Sequence, residues 1–167
     1  MKKIIQVFAS FSLTRLVTLI FLKFKGFIER IISNLKYRAI VKDCADSICH
    51  YTTEIKYGDR IKVGKGSRIG KNCTLGAKGG ISIGENVVLS KYVTLETAGL
   101  DLSQGPPYNK HFGKPIIIED GVWVGTNSII LNGVTIGENS VIGACTVVTK
   151  DVSPSSIIVG SSNRKIN

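Results

Sequence analysis

The sequence contains few histidine, cysteine, tryptophan and proline residues. Among its 167 residues are two histidines, four cysteines, one tryptophan and four prolines. The cysteines are Cys44, Cys49, Cys73 and Cys145, and their spacing gives neither a CxxC pair nor the dense pattern of a disulfide framework. We therefore expect four reduced, mostly buried thiols. Cys44, Cys49 and His50 could form only part of a zinc site, because a fourth ligand is lacking and the spacing is unusual for structural zinc.

Glycine and aliphatic residues are plentiful by contrast. The chain has 18 glycines and 43% hydrophobic residues, but only 7% aromatic residues. This composition is typical of a globular protein made of short strands and tight turns, and it is unlike that of a disordered chain. The length is enough for one domain of ordinary size with its own core.

The positive charge is concentrated at the N-terminus. Residues 1–42 contain nine of the 22 basic residues and one of the 12 acidic residues, so they carry +8 of the total of +10. Residues 4–22 are mostly apolar and about long enough to span a bilayer, although Arg15 would then lie in the hydrocarbon. Between residues 23 and 42, apolar residues recur at helical spacing with bases between them. We predict a basic amphipathic helical segment over residues 1–50.

Three placements of this segment are open. It lies on a membrane surface, where anionic lipids strengthen the binding of a basic amphipathic helix. Alternatively it packs against its own domain or a neighbouring subunit, or it spans the bilayer. No small-residue cleavage site clearly follows the apolar run, so we do not expect a cleaved signal peptide. Because the bases alternate with Phe, Ile and Leu, we expect contact between residues 1–42 and a membrane surface, and no nucleic-acid binding.

From Tyr57 onward the sequence repeats every six residues. One apolar series is Ile118, Val124, Ile130, Ile136, Ile142 and Val148. Four positions after each of these comes a small or β-branched residue: Val122, Ser128, Val134, Ser140, Thr146 and Val152. The same rule fits Tyr57, Val63, Ile69 and Leu75, and after a two-residue slip near Gly79–Gly80 it resumes at Ile83, Leu89 and Leu95.

A period of six predicts a short strand plus a turn, repeated. Three such units make one coil of a prism, and successive coils stack at the spacing of hydrogen-bonded strands. The fold class is therefore an all-β solenoid, over residues 51–167, with both series of residues facing inward. Its open ends need covers, and the N-terminal helix and the tail after Val152 are the candidates. Residues 97–115 break the repeat and predict an extruded loop.

The run IIIEDGVWVGTNSIILNGVTIGENSVIGACTVVTKDVSPSSIIVG, from Ile116 to Gly160, resembles the hexapeptide-repeat acyltransferases. It is most similar to the maltose and galactoside O-acetyltransferases and to related polysaccharide O-acetyltransferases of bacteria. The resemblance implies a left-handed parallel β-helix, a homotrimer with active sites between subunits, and acetyl-CoA as acetyl donor without a metal. It also implies that the loop at residues 97–115 reaches a neighbouring subunit and helps to form the active site.

Acetyl transfer to a hydroxyl needs a base, and imidazole titrates near neutral pH. His111 lies in the predicted loop and is our candidate for this base. Many relatives carry their catalytic histidine earlier in this loop, where the present chain has Leu100 after Gly99 and before Asp101. We expect His111 to take over from the far end of the loop, with Asp101 in a turn. His50 precedes the first recognisable coil and is a weaker candidate.

The resemblance also assigns residues to the CoA site. Trp123 matches a tryptophan beside the pantetheine arm, Gly125 and Thr126 match a turn that faces this arm, and Ala144 matches a small residue close to it. Near the adenosine and phosphate end, the matching residues are Thr149, Lys150 and Arg164, with Lys165 as a possible helper. The chain departs from the family at Asn132, where proline is usual, and in its tail at residues 160–163.

Three functions remain open on this basis, and a fourth is excluded. The first is an acetyl-CoA-dependent O-acetyltransferase acting on a sugar of a bacterial surface polysaccharide, such as an O-antigen, capsule or exopolysaccharide precursor. We would then expect it in the cytoplasm, peripherally attached to the inner face of the cytoplasmic membrane. An amino-sugar N-acetyltransferase and a catalytically inactive membrane-associated scaffold remain alternatives. A γ-type carbonic anhydrase is rejected, because it needs three metal-binding histidines and the chain has two.

Overall fold

A computed structural model describes residues 2–103, 105–107, 110–160 and 164–165, with side chains from Leu13 to Gly160 within these ranges. The chain forms two compact units, Met1–Ile32 and Ser33–Asn167. One long helix, α1 (Lys2–Ile40), makes up the first unit and continues into the second. The N-terminal helix was predicted, and it forms without interruption since the first 40 residues contain no proline. Among the described residues, no helix combines the length and the apolarity needed to cross a membrane.

The second unit consists of very short strands. In chain order they are β1 (Ile48–Cys49), β2 (Glu54–Lys56), β3 (Ile61–Val63), β4 (Arg68–Ile69), β5 (Thr74–Gly76), β6 (Ile81–Ile83), β7 (Val88–Leu89), β8 (Thr94–Glu96), β9 (Ala98–Leu100), β10 (His111–Gly113), β11 (Ile116–Ile118), β12 (Trp123–Val124), β13 (Ile129–Leu131), β14 (Thr135–Ile136), β15 (Val141–Ile142), β16 (Val147–Val148), β17 (Ile157–Val159) and β18 (Arg164–Lys165).

Apart from β9 and β10, these strands form three sheets that run the length of a solenoid. Sheet A has the order β3-β6-β11-β14, sheet B the order β1-β4-β7-β12-β15-β17-β18, and sheet C the order β2-β5-β8-β13-β16. Each coil contributes one strand to sheet B, then one to sheet C, then one to sheet A, and there are about five coils. All pairs within these sheets are parallel except β17–β18, which is antiparallel. The predicted solenoid is therefore confirmed.

The interior is filled by the residues that the six-residue period predicts. The apolar series is at most 1% exposed: Ile118, Val124, Ile130, Ile136, Ile142 and Val148. The series four positions later is at most 4% exposed: Val122, Ser128, Val134, Ser140, Thr146 and Val152. Buried hydroxyls are satisfied across coils, since Ser128 donates to the carbonyl of Gly143 at 2.8 Å and Ser140 to that of Ser153 at 3.0 Å.

The prediction that Tyr57 faces inward is wrong. This side chain is 51% exposed, and its left-handed backbone (φ 59°) precedes a single 3₁₀ turn, Gly58–Arg60. The residue that aligns with the inward Leu75 and Leu95 is Ile55. The first coil therefore contains the same two-residue slip that the sequence shows at Gly79–Gly80. Counting back from Leu75 in steps of six residues ignores this slip, so it gives Tyr57 as the inward residue where the structure has Ile55.

Left-handed turn residues stack from coil to coil at the corners. Gly66 has φ 75°, and a Cβ there would lie 2.4 Å from the side-chain oxygen of Asn86 in the next coil. Asn86 itself has φ 54°, and asparagine tolerates this region better than most residues. A substitution at residue 66 would therefore be strained by the left-handed backbone, and the side chain of Asn86 would also have to move.

The last turns of α1 cover the first coil, as predicted for this end of the solenoid. Tyr37 is buried there, and its hydroxyl lies 2.9 Å from that of Ser47. Lys36 donates from Nζ to the carbonyls of Tyr51 and Thr53 at 2.6 and 2.8 Å. Burial raises the pKa of the Tyr37 hydroxyl well above its ordinary value, against a smaller lowering by the Ser47 hydrogen bond. At the other end, β17 adds a strand after Val152, and β18 turns back along it.

Candidate active site

The segment that breaks the repeat is a β-hairpin. It leaves the solenoid after β8 of sheet C and returns at β11 of sheet A, so it stands at the corner between these two sheets. Its strands β9 and β10 pair antiparallel with each other. The segment that was predicted as an extruded loop therefore contains ordered strands, which the sequence analysis did not foresee.

The hairpin places His111 directly opposite Leu100. In an antiparallel pair, directly opposed side chains project from the same face, with Cβ atoms about 4.5–5.5 Å apart. His111 is exposed, and its backbone carbonyl accepts a hydrogen bond from Nζ of Lys78 at 3.0 Å. The Cβ atom of His111 therefore lies close to that of Leu100, and both side chains leave the same face of the hairpin. The structure thus pairs His111 with Leu100, and the catalytic role of His111 remains a prediction.

Asp101 takes the turn role that was expected for it. Its carboxylate accepts the backbone N–H of Ser103 at 2.9 Å, and its own N–H donates to the carbonyl of Lys110 at 2.9 Å. Hydrogen bonds from the Ser103 side chain and backbone hold the pKa of the Asp101 carboxyl below its ordinary value. The carboxylate is thus engaged with Ser103, within the turn.

Buried contacts fix the base of the hairpin. The hydroxyl of Thr97 donates to the carbonyl of Gly76 at 2.6 Å and accepts the N–H of Gly79 at 2.8 Å. The carbonyl of Thr97 accepts the N–H of Lys114 at 3.0 Å, which ties the two ends of the hairpin together. The ring of Phe112 lies where a Cβ at Gly99 would be, at 2.3 Å. His111 is therefore carried by a hairpin whose root is held by the three hydrogen bonds of Thr97.

A groove on sheet B contains four of the predicted CoA residues. It has a volume of about 320 Å³ and is lined by Ser90, Trp123, Gly125, Thr126, Val141, Ile142, Gly143 and Ala144. Trp123 is 57% exposed, which excludes the alternative that it packs in the interior of the chain. The lining combines an aromatic face, aliphatic groups and the edges of two turns. Such a surface fits a narrow chain of methylene and amide groups, as in pantetheine.

Two small residues keep the groove open at its floor. A Cβ at Gly125 would lie 2.5 Å from the backbone nitrogen of Ala144, in the next coil. The N–H of Gly125 donates to the carbonyl of Ile142 at 2.7 Å, so the two coils are in direct backbone contact there. Ala144 is exposed at this point, and a larger side chain would fill the groove.

Two predicted CoA residues, Thr149 and Lys150, are not among the residues that line the groove. Thr149 and Lys150 follow β16 of sheet C and are exposed there. Arg164 and the helper Lys165 lie in β18, whose backbone continues the same sheet B that carries the groove. The side chains of these two residues, and the tail at residues 161–163, lie outside the described residues. Their predicted roles remain predictions.

The sequence analysis missed Ser90, which contacts the candidate tryptophan. The indole Nε1–H of Trp123 donates to the hydroxyl of Ser90 at 3.1 Å. Ser90 stacks with Gly125 and Gly143 of later coils, because β7, β12 and β15 are in register. Three residues aligned in this column are glycines, Gly70, Gly125 and Gly143, and a serine among them was the signal that could have found Ser90.

The hairpin and the groove belong to different sides of one chain. The hairpin stands at the corner between sheets C and A, whereas the groove lies on sheet B, across the triangular section from that corner.

His50 follows β1 in the first coil, where its Nδ1 lies 2.9 Å from the hydroxyl of Thr52. Cys44, Cys49 and Cys73 are buried and Cys145 is exposed, all as free thiols. In the described part of the chain, no three His, Cys, Asp or Glu side chains are grouped to hold a metal ion.

Comparison with known proteins agrees with this fold. Residues 115–150 match the family model of the bacterial transferase hexapeptide, and residues 60–91 match the hexapeptide repeat of succinyl-transferase. The chain therefore contains hexapeptide repeats, and its solenoid matches the hexapeptide-repeat left-handed β-helix that the resemblance implied.

Three of the similar proteins bear the name acetyltransferase. A Schizosaccharomyces pombe protein assigned as an acetyltransferase is 45% identical over 111 residues, 66% of this chain and 54% of that protein. Galactoside O-acetyltransferase of Escherichia coli is 37% identical over 105 residues, 62% of this chain and 52% of the enzyme. A Vibrio cholerae hexapeptide-repeat acetyltransferase, solved with acetyl-CoA, is 27% identical with a TM-score of 0.76 and covers 85% of this chain and 83% of that structure.

The chain is homologous to galactoside O-acetyltransferases, which confirms the resemblance seen in the sequence. It spans about half the length of the sequence relatives that it matches.

Proposed function

We propose that this protein transfers the acetyl group of acetyl-CoA to a hydroxyl of a sugar. The observation that carries the proposal is the groove in which Trp123, Gly125, Thr126 and Ala144 meet. These are four of the residues that the resemblance assigns to the pantetheine arm, and a homologous structure contains acetyl-CoA. A galactoside O-acetyltransferase among the relatives supports a sugar hydroxyl as acceptor.

His111 acts as the general base in this proposal. Its imidazole takes the proton of the acceptor hydroxyl while the hydroxyl oxygen attacks the carbonyl carbon of the thioester. The new C–O bond forms, the C–S bond breaks, and the CoA sulfur leaves with the electron pair and takes up the proton. The packed root of the hairpin at Thr97 holds the base in place, which contributes to rate by orientation.

The active site is completed by a second copy of the chain. Within one chain, the hairpin and the groove lie on different sides of the solenoid. A cyclic assembly brings the hairpin of one subunit towards the groove of the next, and three solenoids of triangular section suit a homotrimer. The trimer that the resemblance implies thus accounts for the separation of the two halves of the site.

The acceptor that we favour is a sugar of a bacterial surface polysaccharide precursor, in part because such glycans are assembled at membranes. The net charge of +8 on residues 1–42 supports work beside an anionic membrane, on its cytoplasmic side. The three buried thiols agree with a reducing compartment.

A groove-blocking variant tests this function. We expect the wild-type protein to bind acetyl-CoA and to release free thiol from it when a sugar acceptor is present. Ala144→Phe should weaken acetyl-CoA binding by at least about tenfold, since the ring would occupy the groove. Ala39→Phe, at an exposed position of α1, is the matched control and should bind normally. The acceptor panel contains neutral sugars, amino sugars and lipid-linked glycans.

Two results would overturn the proposal. The first is a folded wild-type protein that shows no binding of acetyl-CoA at all. The second is acetyl-CoA binding that Ala144→Phe leaves unchanged, because the cofactor would then lie elsewhere. Acetylation confined to amino groups would replace the proposed O-acetyl transfer by N-acetyl transfer.

A further inference from the structure

The first unit exposes a straight apolar stripe along α1. Six residues form it, and their side chains are between 41% and 62% exposed: Leu13, Val17, Ile20, Phe24, Phe27 and Ile31. They are spaced alternately by four and three residues, so at 3.6 residues per turn they fall within an arc of roughly 80°. A soluble helix normally buries such a face against a core, and this one does not.

The charges of this unit lie away from the apolar stripe. Lys23 and Arg30 flank it on one side and Lys25 on the other, all at roughly 80–120° from its centre. Arg15 and Glu29 lie near the opposite face, so residues 13–32 contain four bases and one acid. Other apolar residues outside the stripe are exposed as well: Leu16, Leu19, Phe21, Leu22, Ile28 and Ile32. Four of them lie before residue 23, so the separation of apolar from charged residues is sharpest after residue 22.

We propose that this helix binds the surface of an anionic membrane, with the apolar stripe inserted at the boundary between headgroups and acyl chains. Exposed phenylalanines and aliphatic residues supply the apolar contact, and the flanking bases reach the lipid phosphates. The positive charge is complementary to an anionic leaflet. This inference depends on α1 alone and does not require the acetyl transfer proposed above.

The same charge pattern argues against a second copy of this chain as the partner that covers the apolar stripe. Helices that associate through such a seam usually carry opposite charges at the positions beside it. Here the flanking residues Lys23, Lys25 and Arg30 are all basic, so copies of this helix would repel each other along the seam. A lipid surface supplies the missing negative charge.

Vesicle flotation of the full chain tests the inference. We expect the protein to float with mixed phosphatidylcholine–phosphatidylglycerol vesicles and much less with phosphatidylcholine alone. Ile20→Asp, in the stripe, should reduce binding at least about tenfold, because a carboxylate cannot enter the boundary at low cost. Leu22→Asp is the matched control, since it makes the same charge change at similar exposure on the opposite face. It should lose distinctly less binding.

Charge variants measure the contribution of the bases to vesicle binding separately from that of the apolar stripe. Lys23→Gln and Arg30→Gln should each weaken binding about fivefold, and added salt should reduce the binding of the wild-type chain. Circular dichroism of each variant shows whether the helix still forms. Equal losses for Ile20→Asp and Leu22→Asp, or no flotation of the wild type, would overturn the proposal. A change of oligomeric state in Ile20→Asp without lipid, together with absent flotation, would assign the stripe to a second copy instead.

Discussion

His111 and Leu100 occupy directly opposed positions of the β9–β10 ladder, so their side chains project from the same face of the hairpin. Ten residues lie between them along the chain, yet the ladder makes them neighbours. This pairing is the reason that we expect His111 to take the role of a histidine at residue 100.

The first prediction exchanges the two residues. His111→Leu alone should abolish most acetyl transfer, because the base is lost. Adding Leu100→His to this variant should restore a substantial part of the activity, since the imidazole then starts from the opposed position of the same pair. Free-thiol release from acetyl-CoA measures both. A double variant no more active than His111→Leu would show that the opposed position does not reach the reacting atoms.

The second prediction concerns the contact between Trp123 and Ser90. Ser90→Ala removes the acceptor of the indole N–H, a hydrogen bond worth about 0.5–1.5 kcal/mol. We expect acetyl-CoA to bind a few-fold more weakly and the indole emission to shift, while kcat changes little. The emission is easily assigned, since the chain has one tryptophan.

Ser82→Ala, at an exposed position of sheet A, is the control for Ser90→Ala and should leave both properties unchanged. The positioning role of Ser90 is wrong if Ser90→Ala alters neither the emission nor the affinity.

The third prediction concerns the close approach of two coils at Gly125. Gly125→Ala places a Cβ 2.5 Å from the nitrogen of Ala144, and backbone on both sides resists the shift. We expect a loss of about 1–3 kcal/mol in the free energy of unfolding, with weaker acetyl-CoA binding. Gly26→Ala makes the same change where no atom lies within 4 Å, in the middle of a helix. It should be neutral or slightly stabilising, and equal melting temperatures for the two variants would contradict this account.

The fourth prediction concerns stability at alkaline pH. Burial raises the pKa of the Cys49 thiol from 9.0 to about 11. Between these values the unfolded chain loses this proton and the folded chain keeps it, so stability falls as the pH rises through this interval. Urea unfolding at about pH 8 and about pH 10.5 should show a smaller loss in Cys49→Ala than in Cys145→Ala, whose thiol is exposed. The same pH dependence in both variants would argue against the buried thiol as its source.

The sequence predicted the solenoid because its period is local. Each coil repeats the same inward positions, and residues such as Ile130 and Val148 are recognisable without knowledge of their partners. The period failed at Tyr57, since a two-residue slip in the first coil shifts the register and only the pairing of Ile55 with Leu75 reveals it.

The candidate site was predicted in part. Trp123, Gly125, Thr126 and Ala144 followed from the resemblance and do lie together. The sequence did not predict that Leu100 lies opposite His111. Residues 97–115 lack the six-residue period, so only the hairpin in the structure shows how they pair. Ser90 was missed for a related reason. The hairpin insertion separates Ser90 from Trp123 by 33 residues, so only the stacking of coils brings the two together.

The most direct test of the central claim is turnover of acetyl-CoA by His111→Ala. Free-thiol release with a sugar acceptor should fall by about 10²–10⁴-fold, while acetyl-CoA binding survives because the groove lies outside the hairpin. His50→Ala, which removes the other histidine of the chain, should retain turnover. A His111→Ala protein that turns over acetyl-CoA as fast as the wild type would contradict the account, since the hairpin would then carry no base.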